Sequence, residues 1–172
     1  MIMATKDVSK YFKAFYKEYN KYAEGVHDLN EGASDKIIYT FEEKYNMNLP
    51  YYYKEWLKVH NGGTLFADTI GTKIFEVLGN RTPKEGVCYI EDNFDGSKRN
   101  PAMPATFFMI AKTPYGDVIG FDLENTSLED GKILYWNKES GKIEEDWASF
   151  AKWLKDEMLI GKEEVDYTGA ER

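Results

Sequence analysis

Apolar residues recur along this chain with two periods, and the switch between them divides it. Val8, Phe12, Phe15, Tyr19 and Tyr22 are spaced by four, three, four and three. That is one side of a helix from about Lys6 to Glu24, widened by Tyr11 and Tyr16 and stopped at Gly25. Such a stripe reads first as a core-facing surface. Ile37, Ile38, Phe41 and Tyr45 form a second face, with Glu42, Glu43 and Lys44 opposite. Ser34 can cap that helix and Asp35 suits its first turn. It should end near Asn46. Tyr53, Trp56, Leu57 and His60 then fall at i, i+3, i+4 and i+7, with Lys54, Glu55 and Lys58 on the other side. Pro50, after Leu49, opens this third helix at its first position, where a missing amide hydrogen costs nothing. Asn61-Gly62-Gly63 closes it, because glycine enters the left-handed region without a Cβ clash. Two helices so close in sequence should form an angled pair.

From Thr64 the period shortens. Thr64 to Phe66 starts a strand, and Ile74, Phe75, Val77 and Leu78 suggest another. Val26 to Gly32 and Gly79 to Gly86 read as loop and turn. Val87 to Ile90 fits either a strand or a helical turn. Glu91 to Ala105, with Gly96, Pro101 and Pro104, reads as a long loop of the functional or mobile kind. Thr106 to Ala111 and Asp117 to Leu123 are strands joined by the turn Thr113-Pro114-Tyr115-Gly116, so they should pair antiparallel. In the second, Val118, Gly120 and Asp122 face one way and Ile119, Phe121 and Leu123 the other. Ile133 to Trp136 follows the turn at Asp130-Gly131. Trp147, Phe150, Ala151, Leu154 and Met158 mark a closing helix with Asp146 as its cap. Few apolar residues follow Gly161, so residues 161–172 should fray.

A length of 172 residues favours one domain, residues 1–160, with a real core. The formal charge is −8. It disfavours nucleic acid and anionic membranes and makes a basic protein the natural partner. Between Lys112 and Asp146, nine acidic residues stand against four lysines, a net of −5. Asp117, Asp122, Glu124, Glu129 and Asp130 lie on or beside one strand pair there, with Tyr115 and Tyr135 as candidate anchors. These seven are the candidate protein-binding residues. The competing reading is a solvated sheet edge, where charge prevents pairing between molecules.

Cys88 is the only cysteine, so no intramolecular disulfide can form. That suits a reducing cytoplasm, and the N-terminus MIMATKDVSK has no secretory apolar run. No apolar stretch is long enough to span a membrane. Catalytic patterns are missing too. There is no phosphate-cradling glycine loop, GxSxG elbow or HExxH pair, and His27 and His60 lack partners at ligand spacing. Aligning Gly96 with a calcium-loop glycine puts Ala102 where a bidentate carboxylate is required. No cofactor, metal or enzymatic activity is expected.

The order of these features resembles the SMI1/KNR4 (SUKH) superfamily. Glu43, Leu49-Pro50, the helix holding Trp56, and Asn61-Gly62-Gly63 are similar to its opening signature. Gly116-Asp117 with Gly120 to Leu123 looks like its Gly-Asp strand. Gly131 to Trp136 looks like its hairpin strand ending in an aromatic pair, and Phe150 to Leu154 like its closing helix. The likeness runs from about Ser34 to Leu154. One departure is Asn137-Lys138-Glu139, where many members carry a histidine-containing acidic stretch. The resemblance implies an α+β fold, with helices packed on a mostly antiparallel sheet. It also implies a non-enzymatic binding domain, and, since many bacterial members look like immunity proteins, first an immunity protein that neutralises a toxin, such as a nuclease, by stoichiometric binding. The alternatives are an interaction module in cell-wall regulation or signalling, and a small-molecule-binding or catalytic domain.

Overall fold

The computed structural model describes residues 9–172. Lys6 to Val8, the start of the first expected helix, lie outside them. Among the described residues the α-helices, in chain order, are α1 (Lys13–Tyr19), α2 (Asp35–Tyr45), α3 (Tyr51–Val59) and α4 (Phe150–Glu164). Seven strands form one sheet: β1 (Asp28–Leu29), β2 (Gly63–Leu65), β3 (Thr72–Ile74), β4 (Phe107–Lys112), β5 (Val118–Thr126), β6 (Gly131–Asn137) and β7 (Lys142–Trp147). Their spatial order repeats their chain order, and every neighbouring pair is antiparallel. The α+β expectation holds.

The core is an aromatic cluster between helices and sheet. The Trp56 ring of α3 lies 5.4 Å from Phe12, 5.1 Å from Phe15 and 5.7 Å from Phe150, centroid to centroid. Tyr53 reaches Phe121 of β5 at 5.2 Å and Phe150 of α4 at the same distance. Trp56, Leu57, Phe150 and Leu154 are fully buried together. Ridges of this kind bury large apolar areas, the main favourable term in folding.

Helix ends follow the local chemistry. Ser34 accepts from the Ile37 amide at 3.2 Å, and Asn46 closes α2 in the left-handed region at φ 48°. Pro50 is the residue just before α3, not its first helical position. The first amides of α3 are satisfied from a distance: Tyr51 and Tyr52 donate to Leu128 and Glu129 carbonyls in the β5–β6 turn, at 2.7 and 3.0 Å. Glu42, rather than Glu43, joins α2 to α3, since its carboxylate accepts from Leu49 N–H at 2.8 Å and pairs with Lys54 at 3.4 Å. Glu43 faces solvent and accepts from the Tyr39 hydroxyl. Glu55, expected on the outer face, is buried and ion-paired with Lys58 at 2.8 Å.

Past α3 the chain reverses through Gly62 at φ 74° and Gly63 at φ 121°. Asn61 fixes the reversal. Its side-chain oxygen accepts from Val77 N–H at 2.7 Å and its amide donates to Val77 carbonyl at 3.1 Å. The side chain thereby behaves as one residue of a strand.

Several expectations are corrected. The first helix ends at Tyr19, well before Glu24. β1 forms within the expected 26–32 loop, because Asp28 and Leu29 pair with Thr64 and Gly63. β7 was hidden by its charge: KIEEDW lies exposed along the sheet edge. α4 is capped by Ser149, which accepts from Lys152 N–H at 3.2 Å, while Asp146 and Trp147 belong to β7. β5 does not alternate cleanly, since Val118 to Phe121 are all buried. The 91–105 stretch is held in place: a short 3-10 turn over Ile90–Phe94 brings Asn93 against Met109, accepting from its amide at 2.7 Å and donating to its carbonyl at 2.9 Å. Arg99 donates to Phe107 and Pro104 carbonyls.

The chain beyond Gly161 does not fray. α4 continues to Glu164, Val165 is buried, and it bridges Glu171. Ala23 N–H donates to Tyr167 carbonyl at 2.8 Å, and the Tyr167 hydroxyl donates to Glu18 at 3.1 Å. Gly161 makes this docking fit, since a Cβ there would fall 2.0 Å from the Phe66 ring.

Candidate functional site

The seven candidate binding residues separate into two groups at opposite ends of the β5–β6 hairpin. Asp117 and Glu124 are seven residues apart along one strand, roughly 23 Å at strand rise. At the near end, Asp117 accepts from the Tyr135 hydroxyl and from Lys138 N–H at 2.9 Å. Tyr115 tips the β4–β5 turn and is 85% exposed, the most exposed large apolar side chain described. At the far end, Asp122 folds back onto Glu124 N–H and the Asn125 amide. Asp130 accepts from the Tyr11 hydroxyl, Gly131 N–H and Phe150 N–H. Asp130 therefore holds the hairpin to the residues just before α1 and to the start of α4. Glu124 and Glu129 are exposed.

Tyr115 and Tyr135 share a groove of about 840 Å³ with residues that sequence reasoning left aside. Its far wall is the end of α4 and the tail: Ile160, Glu163, Glu164, Val165, Glu171 and Arg172. Its floor includes Ile70, Thr72, Thr113 and Pro114. Three glutamates face one arginine there, so the groove is acidic with an apolar lining. These glutamates were missed because the tail was expected to fray; only its docking brings them against Tyr115. Just inside, the Thr72 hydroxyl donates to Glu157 at 3.1 Å. Burial pushes Glu157 up to about 7, with repulsion from Glu145 and Asp156 adding to it.

A second cavity, of about 730 Å³, adjoins the groove and shares Thr113 and Pro114 with it. It lies between β3–β6 and the 86–103 segment, and Lys73, Lys98, Lys112 and Lys138 line it with a single carboxylate, Asp92. Trp136 is buried in its wall. Cys88 is half-buried there, and burial pushes its thiol up.

The histidines serve the fold. His27 Nδ1 accepts from Phe66 N–H at 3.0 Å, and His60 shares a 2.8 Å hydrogen bond with the Tyr16 hydroxyl. Burial lowers both to about 4, so both are neutral at pH 7. Among the described residues no group of three potential ligands could hold a metal, and no helix is long and apolar enough to cross a membrane.

The sequence model of the SMI1 / KNR4 family (SUKH-1) matches residues 32–156, from the approach to α2 through the first half of α4. The chain belongs to the SMI1/KNR4 family. No curated protein matches it. SMI1/KNR4 domains are generally non-catalytic domains of binding or immunity, which implies a protein partner in general. The SMI1/KNR4 match covers Leu49-Pro50, Trp56, the Asn61-Gly62-Gly63 reversal and Trp136, all of which serve the core and the turn that supports it. It stops at Asp156, so Ile160, Glu163, Glu164 and Glu171, the acidic wall of the groove, lie beyond it.

Proposed function

We propose that this protein is an immunity protein that neutralises a basic toxin domain by occupying it one to one, without turnover. The observation that carries the reading is the acidic, aromatic-rimmed groove between the β4–β5 turn and the C-terminal segment. Tyr115 offers an exposed anchor, Tyr135 is oriented by Asp117, and Glu163, Glu164 and Glu171 surround them. Interfaces concentrate energy in such aromatic anchors, while surrounding charge steers encounter. Family membership supports protein binding, and the position of the acidic wall outside the matched segment suits a surface that varies from one member to the next.

The test is to isolate the partner and measure its inhibition and association rate. Glu163→Gln, Glu164→Gln and Glu171→Gln together should slow association at low salt and matter less as salt screens over about 8–10 Å. Tyr115→Ala should raise the dissociation rate by about tenfold or more. The hairpin-tip set Asp122→Asn, Glu124→Gln and Glu129→Gln serves as the contrast. If the tip set slows association and the groove set does not, the binding face is the far end of the hairpin. Stable complexes with several unrelated proteins, none of them inhibited, would instead mark an interaction module.

A further inference from the structure

The second cavity carries the opposite charge from the protein around it. Four lysines line it against Asp92, inside a chain of net charge −8. Lys98 is paired with Asp92 at 3.5 Å and Lys73 donates to Gly86 carbonyl at 3.3 Å. Lys112 and Lys138 have no carboxylate partner among the described residues. Cations converging on a concave wall focus the field and raise the local concentration of anions.

The wall offers more than charge. Phe75, Met109, Val118 and Trp136 supply an apolar side. Trp136, 1% exposed, closes that side from within. The volume lies within the range of small-molecule sites, about 300–1,000 Å³. The cations are all lysines. Arginine is the usual choice for gripping a planar carboxylate with two parallel bonds, whereas lysine binds phosphate as a point charge.

We propose that this cavity binds a small organic phosphate carrying two or more negative charges, its phosphates on Lys112, Lys138 and Lys73 and its apolar part against Trp136. The site adjoins the acidic groove at Thr113 and Pro114 but draws on different charged residues, and binding here does not depend on toxin neutralisation. It was not legible beforehand, because Lys73 and Lys112 lie on β3 and β4, Lys138 in the β6–β7 turn and Lys98 in a loop, and the four share no motif.

Titration calorimetry and tryptophan fluorescence with pyrophosphate, ADP and ATP as probes, and adenosine as the uncharged control, test the proposal. ADP and ATP should bind and perturb the fluorescence, pyrophosphate should bind more weakly, and adenosine should not bind at about 1 mM. Lys112→Gln with Lys138→Gln should weaken nucleotide binding by about tenfold or more, while leaving the melting temperature without ligand unchanged. Trp136→Phe should reduce the affinity of ADP more than that of pyrophosphate. No binding by any charged probe, equal binding of adenosine and ADP, or full affinity in the double lysine variant would each overturn it. Tight binding of single-stranded RNA with no binding of mononucleotides would overturn it too, in favour of a polymer groove.

Discussion

At the scale of single residues, Glu157 is the most informative side chain outside the core. Its carboxyl is raised from 4.5 to about 7 by burial, even though the Thr72 hydroxyl donates to it. Between those two values the folded protein holds a proton that the unfolded chain has released. Stability contributed by the neutral form is therefore complete below about pH 4.5 and lost as pH rises through about 7. Glu157→Gln keeps an acceptor for Thr72 and removes the charge. Its melting temperature should exceed the wild type's at pH 8 and match it at pH 4, as scanning calorimetry at the two pH values would show. Such a residue was not legible beforehand, because in the sequence Glu157 sits among Lys155, Asp156 and Lys162 like any solvated helical position. Asn61 was legible as part of the helix stop with Gly62 and Gly63, but the pairing of its side chain with Val77, sixteen residues on, was not. The sequence placed weight on Glu43 where Glu42 does the work, since adjacent glutamates on one helix differ only in which neighbour they meet.

At the scale of elements, the turn after α3 sets where the sheet begins. Gly63 at φ 121° runs so close to β1 that a Cβ would lie 2.4 Å from the Asp28 carbonyl oxygen. Gly63→Val should thus destabilise the protein by more than about 1 kcal/mol, from backbone strain alone and more from the clash, measurable by urea unfolding. α2 and α3 were readable because each buries one continuous face, and the β4–β5 and β5–β6 hairpins because their apolar runs are bounded by turn residues. β1 and β7 were not. The first is two residues long and exists only because β2 offers it an edge, and the second is an edge strand whose charges resemble a loop. The docked C-terminal segment escaped notice for a related reason. Val165 and Tyr167 are too few to form a pattern, and their burial depends on Gly161, Phe66 and α1, which lie far off in the chain.

At the scale of the whole molecule, a strand order that repeats chain order lets each strand form by folding back on its predecessor. The seam between α1 and the C-terminal segment joins positions separated by most of the chain, through Ala23 with Tyr167 and Glu18 with Tyr167. Contacts that close so large a loop are costly to form early, and they are natural sites of local opening. Amide hydrogens of α1 and of residues 165–172 should therefore exchange faster than those of β4 to β6, which should exchange only on global unfolding; mass-resolved hydrogen exchange would check the order. The seam also carries one wall of the acidic groove, through Val165 and Glu171. A partner seated in that groove would thus act as a clasp. It would slow exchange in α1, which it never touches, and lengthen the lifetime of the fold by an amount set by its own concentration.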